Sequence, residues 1–336
     1  MDLTPSQTVA LKLIVEDLRF VYSVMVANFK KTGYSYPVAL QPYLGLITDG
    51  IEQWGRKVNA IKNNVPMFTE KEKEYYVALR NNIKLWENEF SNLSQNLEAV
   101  YNANDDYFAN ECKPIAKLLK IYNIYGCLII DGFFCDNTIL DSIYSPYFNL
   151  GTLDSEYTKT MSEYLGRLLG IFGVNNLKVV SVNTQTNFQT RDFCGFFPAP
   201  TGYREYDKSF ILFSIMCTIN FLIFGIDKYV LDEIPTKLRF IYIQYFYLVD
   251  LIKEINKVFQ KRFYMNEQWY CRKMRNCLGH YGLGSVLQEN DINENDAFGG
   301  LTNKLFNCDW RLLKNSLVKE LWDLSEQLRK FLKISN

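Results

Sequence analysis

Arg272-Lys273-Met274-Arg275-Asn276-Cys277-Leu278-Gly279-His280-Tyr281 is the stretch on which the chain turns, and it holds the only histidine among 336 residues. At about 3.6 residues per turn, Arg272, Asn276 and His280 lie one turn apart and share a helix face, and Arg275 stands roughly 100° round from Asn276. The spacing therefore predicts an imidazole, an amide and up to two guanidiniums converging on one spot. An imidazole titrates near neutral pH and moves protons. A guanidinium grips phosphate oxygens through a planar fork. The combination suits phosphodiester chemistry that needs neither a metal nor a cofactor. The plainer alternative is a half-buried histidine hydrogen-bonded inside a helix bundle, with Arg275 as a surface cation.

Outward from this stretch the chain is helical. Upstream, Lys253 to Arg275 carries seven cations (Lys253, Lys257, Lys261, Arg262, Arg272, Lys273 and Arg275) against two anions, Glu254 and Glu267. Tyr264, Trp269 and Tyr270 lie among them, where aromatic faces can stack on unpaired bases. The same pattern also describes a solvated helix face with core aromatics. The motif helix is expected from about Asn266. Pro235 starts the helix before it, with Leu238, Ile241, Tyr245, Leu248, Ile252, Ile255 and Phe259 as a buried stripe. Ser209 to Ile226 runs without a charge and is long enough to suggest a membrane span. Ser209, Ser214, Thr218 and Asn220 dilute it, so it reads as a central bundle helix, with no stable membrane insertion. Downstream, Gly282 and Gly284 end the motif helix. Residues 285–307 read as an acidic loop (Glu289, Asp291, Glu294, Asp296), turned away from an anionic substrate or regulating access to it. Asp309 caps a last helix with Trp310, Leu313, Leu317, Leu321, Leu324, Leu328 and Phe331 inward.

The first 200 residues also read as helices. Thr4-Pro5-Ser6-Gln7 is a helix start with a capping box, and a second helix is expected over about 39–63. Thr69-Glu70-Lys71-Glu72 opens a long helix with Tyr76, Leu79, Ile83, Trp86, Phe90, Leu93, Leu97 and Val100 in steps of three and four. That stripe packs on its own chain or, on a sharper reading, forms a dimer seam. Arg80-Asn81 lies on it with no histidine after. Asn102–Asp106 reads as a polar break, 113–130 as a buried helix, and Ser155 as the cap of a helix ended by Gly173. Residues 178–188 are the one good strand candidate. The polar, Pro- and Gly-containing chain that follows gives the domain boundary. The fold class is thus mainly α: a helical N-terminal domain over 1–200, a second helical bundle over 205–336, and at most a small β-hairpin near 178–195.

Composition sets the outer limits. The chain is 48% hydrophobic and 15% aromatic, so it buries a sizeable core, and disorder is excluded as its main state. Its formal net charge is zero, so nucleic acid would have to be held by a local patch. Eight cysteines are scattered without a CxxC pair, which argues against a zinc site. With no signal peptide at Met1-Asp2-Leu3-Thr4-Pro5, they read as reduced thiols of a cytoplasmic protein.

Met274-Arg275-Asn276-Cys277-Leu278-Gly279-His280 resembles the Arg-x4–6-His signature of the HEPN superfamily, with a polar residue directly after the Arg and apolar Leu278 upstream of the His. One position departs: many members carry an aromatic where this chain has Gly282, and Tyr281 comes one residue early. The resemblance covers about 130 residues, because the order from about 205 is helix, helix, motif helix, loop, helix. It implies a four- or five-helix bundle and a metal-independent endoribonuclease of a defence or toxin system. Arg275, Asn276 and His280 would be catalytic, and Arg272, Lys273, Tyr281, Lys261 and Arg262 would hold unpaired RNA. It further implies a homodimer, since one histidine does not readily serve as both base and acid, and an antitoxin or regulatory protein as a possible partner. The rival reading is a non-catalytic helical scaffold that binds RNA, nucleotide or a protein.

Overall fold

The computed structural model describes residues 3–32, 38–58, 69–119, 125–145, 156–173, 180–193 and 206–334. The described chain is mostly helical. In order it runs α1 (Pro5–Thr32), α2 (Gln41–Lys57), α3 (Glu70–Ile83), α4 (Phe90–Glu111), α5 (Pro114–Leu119), β1 (Tyr125–Ile130), β2 (Phe133–Asn137), α6 (Thr138–Tyr144), α7 (Glu156–Ile171), β3 (Phe188–Phe193), α8 (Tyr206–Asn220), α9 (Pro235–Phe259), α10 (Arg272–His280), α11 (Gly299–Phe306) and α12 (Trp310–Phe331).

Local chemistry explains the starts. The Thr4 amide donates to Gln7 Oε1 at 3.0 Å. Thr69 and Glu72 form a complete capping box. Asp309 Oδ1 accepts from the Arg311 amide at 2.7 Å. Each satisfies amide donors that the first turn leaves unpaired.

The centre is α8 and α9. From Ser209 to Asp227 the chain is long and apolar enough to cross a membrane, with mean hydropathy 2.2, and Ser209 to Ile226 is wholly buried inside the protein. Its second part, Phe221–Asp227, is a wider π-helical turn. Asn220, at the junction, donates to the Phe134 carbonyl at 2.9 Å and accepts from Ser325 at 2.7 Å, so this polar residue in the apolar run is satisfied inside the core. In α9, every residue from Thr236 to Val249 is buried. Around this centre one continuous apolar cluster takes in Val9, Ile47, Trp86, Leu248, Leu278 and Leu321 alike. The boundary expected near residue 200 lies outside the described residues, and apolar side chains from both sides of it share this cluster.

Several expectations are corrected. The long helix from Thr69 is broken between α3 and α4 by a 3-10 turn over Leu85–Glu87, because the chain bends there to keep Leu85 and Trp86 buried. Its stripe is spent inside the protein: Leu79, Ile83, Leu93 and Leu97 are at most 1% exposed. Asn102–Asp106 lies within α4, with Asn104 buried. Residues 113–130 are not one helix. Among the described residues of this stretch only α5 is helical, and β1 is the middle strand of a sheet ordered β2-β1-β3, antiparallel throughout. β3 falls in the window where a hairpin was expected, but it pairs with β1. The hairpin is β1–β2, closed by Asp131 (φ 50°) and Gly132 (φ 87°), the positive-φ pair that a two-residue hairpin turn requires. The acidic 285–307 segment contains α11, which Gly299-Gly300 opens. Its acids dock on α1: Glu289 accepts from the Ser6 amide at 2.8 Å, and Glu294 pairs with Lys12 at 2.6 Å.

Candidate functional site

α10 begins at Arg272, not near Asn266. Residues 261–271 instead double back along α9, where the Tyr242 hydroxyl donates to the Trp269 carbonyl at 2.7 Å and the Tyr245 hydroxyl to that of Asn266. The helix lies in a corner made by α2 and α9, with Met274, Cys277 and Leu278 inward. Arg272, Lys273 and Asn276 are exposed, and the side chain of His280 is 32% exposed.

The imidazole faces α2. Its Nδ1 is buried and lies 3.2 Å from Asp49 Oδ2, off the line that a well-formed hydrogen bond takes, with no other polar partner among the described residues. With Nδ1 buried, the exposed part of the side chain lies on its other atoms. The Asp49 side chain is 6% exposed, and its other oxygen, Oδ1, lies 3.2 Å from Arg80 Nε. Arg80 thus stands one carboxylate away from the imidazole. Two glycines of α2 allow this closeness. A Cβ at Gly45 would overlap the backbone of Leu79 and Arg80, and one at Gly50 the ring of Tyr281.

Arg275 turns to α9. Its Nη2 donates to the Tyr247 hydroxyl at 2.8 Å and lies 3.4 Å from Glu87, while Nη1 donates to Asn276 Oδ1 at 3.0 Å. Burial raises the Tyr247 phenol above its ordinary range; Arg275 and Arg80 oppose the shift and Glu87 adds to it. A neutral phenol that accepts from a guanidinium retains a proton to donate to an oxyanion. The Glu87 side chain is 46% exposed and also pairs with Lys84 at 3.3 Å. It is a weak, displaceable counter-charge on Arg275.

The expected residues therefore part company. Asn276 is exposed together with Arg272 and Lys273, while Arg275 turns to α9 on one side of α10 and His280 to α2 on the other. Tyr281 does not line the site. It is 4% exposed, closes α10 in the left-handed conformation (φ 49°), and donates its hydroxyl to Asp17 at 2.7 Å. Lys261 and Arg262 follow the far end of α9, where Lys261 sits over the Phe331 ring at 5.8 Å. At about 1.5 Å per residue that end is more than 10 Å along α9 from Tyr247, so these two cations do not join the cluster. Of the aromatics, Tyr270 is stacked flat on Phe246 at 4.4 Å and Trp269 packs edge-on against Phe306, so Tyr264 alone of the three is open, at 67%.

Asp49, Arg80, Glu87 and Tyr247 escaped the sequence reading. The signal available was indirect: glycines at 45 and 50 inside a helix flag close approach by a neighbour. Among the described residues, no three His, Cys, Asp or Glu side chains gather to hold a metal ion. What the arrangement offers chemically is one proton-transfer group, two guanidiniums and a neutral phenol beside an open surface. No protein-family model, curated protein or solved structure matches the chain.

Proposed function

We propose that the protein is a metal-independent endoribonuclease of the HEPN type acting on unpaired RNA, as a defence or toxin effector in the cytoplasm. The observation that carries the reading is a half-buried His280 with its Nδ1 against Asp49 and Arg80 behind that carboxylate, one helix turn from exposed Asn276, whose Oδ1 accepts from Arg275. His280 takes the proton of a ribose 2′-hydroxyl. The 2′-oxygen bonds to the adjacent phosphorus, the bond from phosphorus to the 5′-oxygen breaks, and that oxygen is protonated by a second imidazole. The products are a 2′,3′-cyclic phosphate and a 5′-hydroxyl. Arg275 exchanges Glu87 for the phosphoryl oxygens and stabilises the charge that grows on them, an effect on the order of 3 kcal/mol per donor. Arg272 and Lys273 hold the strand. The second imidazole comes from a second copy of the chain, so the active form is a homodimer, and an antitoxin or regulatory protein would cover the site.

Purified protein incubated with total RNA tests this reading. The parent generates fragments with cyclic phosphate ends, in EDTA as well as without it, and His280→Ala generates none. Equal cleavage by His280→Ala removes the histidine from the mechanism, and complete loss in EDTA points to different chemistry. One observation favours the scaffold alternative: Arg275 is already tied to Glu87 and Tyr247. In that case RNA, nucleotide or a protein partner is bound by parent and His280→Ala alike, and neither cuts.

A further inference from the structure

We infer that Asp49, from the N-terminal half of the chain, is the positioning residue of the His280 site, holding the imidazole by Nδ1 and Arg80 by its other oxygen. The geometry stands without a function; its catalytic meaning rests on the nuclease reading above. Asp49 is a buried carboxylate with one oxygen 3.2 Å from His280 Nδ1 and the other 3.2 Å from Arg80 Nε. Among the described residues Nδ1 is buried with no hydrogen-bond partner, and Asp49 is the carboxylate that faces it. A small rotation of the ring aims Nδ1–H at Oδ2. That bond selects the tautomer with the proton on Nδ1, and leaves the Nε2 lone pair to accept from a 2′-hydroxyl. Charge follows the same logic. On α2 the imidazole faces Asp49, with Arg80 of α3 behind it. On the other side of α10 are Arg275 and Tyr247, and Arg239 of α9 is engaged by Asp17. Asp49 therefore supplies the negative charge that supports an imidazolium when the proton arrives, while Arg80 limits that support.

A merely structural Asp49 would need Arg80 alone, and His280 would not respond to it. Because the chain has one histidine, nitrogen NMR of the labelled full-length protein reads a single imidazole ring. In the parent the neutral ring is expected to carry its proton on Nδ1, and Asp49→Asn, which no longer offers a carboxylate to that proton, is expected to shift it toward a mixture of tautomers. The tautomer of the parent is a measurement of its own, so the proposal stays testable if the variant fails to fold. A parent ring protonated on Nε2, or a tautomer unchanged in folded Asp49→Asn, overturns it. The outcome is independent of cleavage. A protein that shows the Nδ1–H ring and its loss in Asp49→Asn but cuts no RNA retains the positioning role and loses the nuclease reading. One that cuts RNA with an unchanged tautomer loses only the role of Asp49.

Discussion

His280 and Tyr281 are adjacent in sequence and opposite in fate, and each is joined to a carboxylate and a guanidinium. Tyr281 belongs to a closed cluster. Arg239 is 1% exposed, donates to Asp17, to the Tyr281 hydroxyl and to the Leu278 carbonyl at 2.6 Å, and lies 3.9 Å over the Tyr281 ring centroid. Thr236 completes Asp17 at 2.6 Å. No side-chain polar atom of Asp17, Thr236, Arg239 or Tyr281 is buried without a partner, and Arg239 also donates to the Leu46 carbonyl at 3.2 Å, so the cluster ties α1, α2, α9 and α10 together. His280 belongs to an open one, in which the imidazole is partly exposed and Arg275 is held partly by an exposed glutamate. The same residue types do structural work when desolvated and fully paired, and can do binding work when one side is left open.

That contrast can be broken by mutation. The largest effect is expected from Arg239→Ala, which strands a buried Asp17 and should cost about 3–5 kcal/mol in thermal or urea unfolding. A loss below about 1 kcal/mol would mean the closed cluster does not pin the helices.

Next comes a pH effect beside the same cluster. Burial, and then the neighbouring Asp17, raise Glu16 from 4.5 to about 7. The folded state holds this proton more tightly than the unfolded chain, so the stability it contributes is present below about pH 4.5 and lost as pH rises through 7. Asp141, raised by burial to about 6, acts in the same sense. Glu16→Gln is therefore expected to melt higher than the parent at pH 8, by a few °C, and no higher at pH 4. Equal melting temperatures at pH 8 would show that Glu16 is solvated.

At the open cluster, His280→Ala should change stability by no more than about 0.5 kcal/mol, as for a surface residue outside any closed network. A cost of several kcal/mol would place His280 with Tyr281 as a fold residue. The smallest effect is expected from Glu87→Gln. It removes a half-exposed counter-charge from Arg275, leaves unfolding unchanged, and tightens binding of single-stranded RNA a few-fold at low salt, less at high salt. Unchanged or weaker binding would take Arg275 out of the RNA surface.

Much of the fold was legible because helices announce themselves locally. Caps at Thr4, Thr69 and Asp309 and the stripe from Trp310 to Leu328 can be read without knowing what they pack against. The β1–β2 hairpin was missed although Asp131-Gly132 marked it, because apolar residues on both sides of a short strand look like a buried helix. Periodicity also suggested one long helix from Thr69 where the chain breaks at Leu85–Glu87, since a stripe continues through a bend that keeps the same face buried.

By itself the sequence determined that Arg272, Asn276 and His280 share an edge of one helix, because a fixed rise and twist set that relation within the segment. It also determined that a chain this rich in apolar helices has a core to bury. Only the tertiary structure decided that Tyr281 turns inward to Asp17 and Arg239, that Lys261 and Arg262 stay at the far end of α9, and that Asp49 and Arg80 come to the imidazole. Those relations join residues about 30 to 260 positions apart in the chain, through packing that no local repeat encodes.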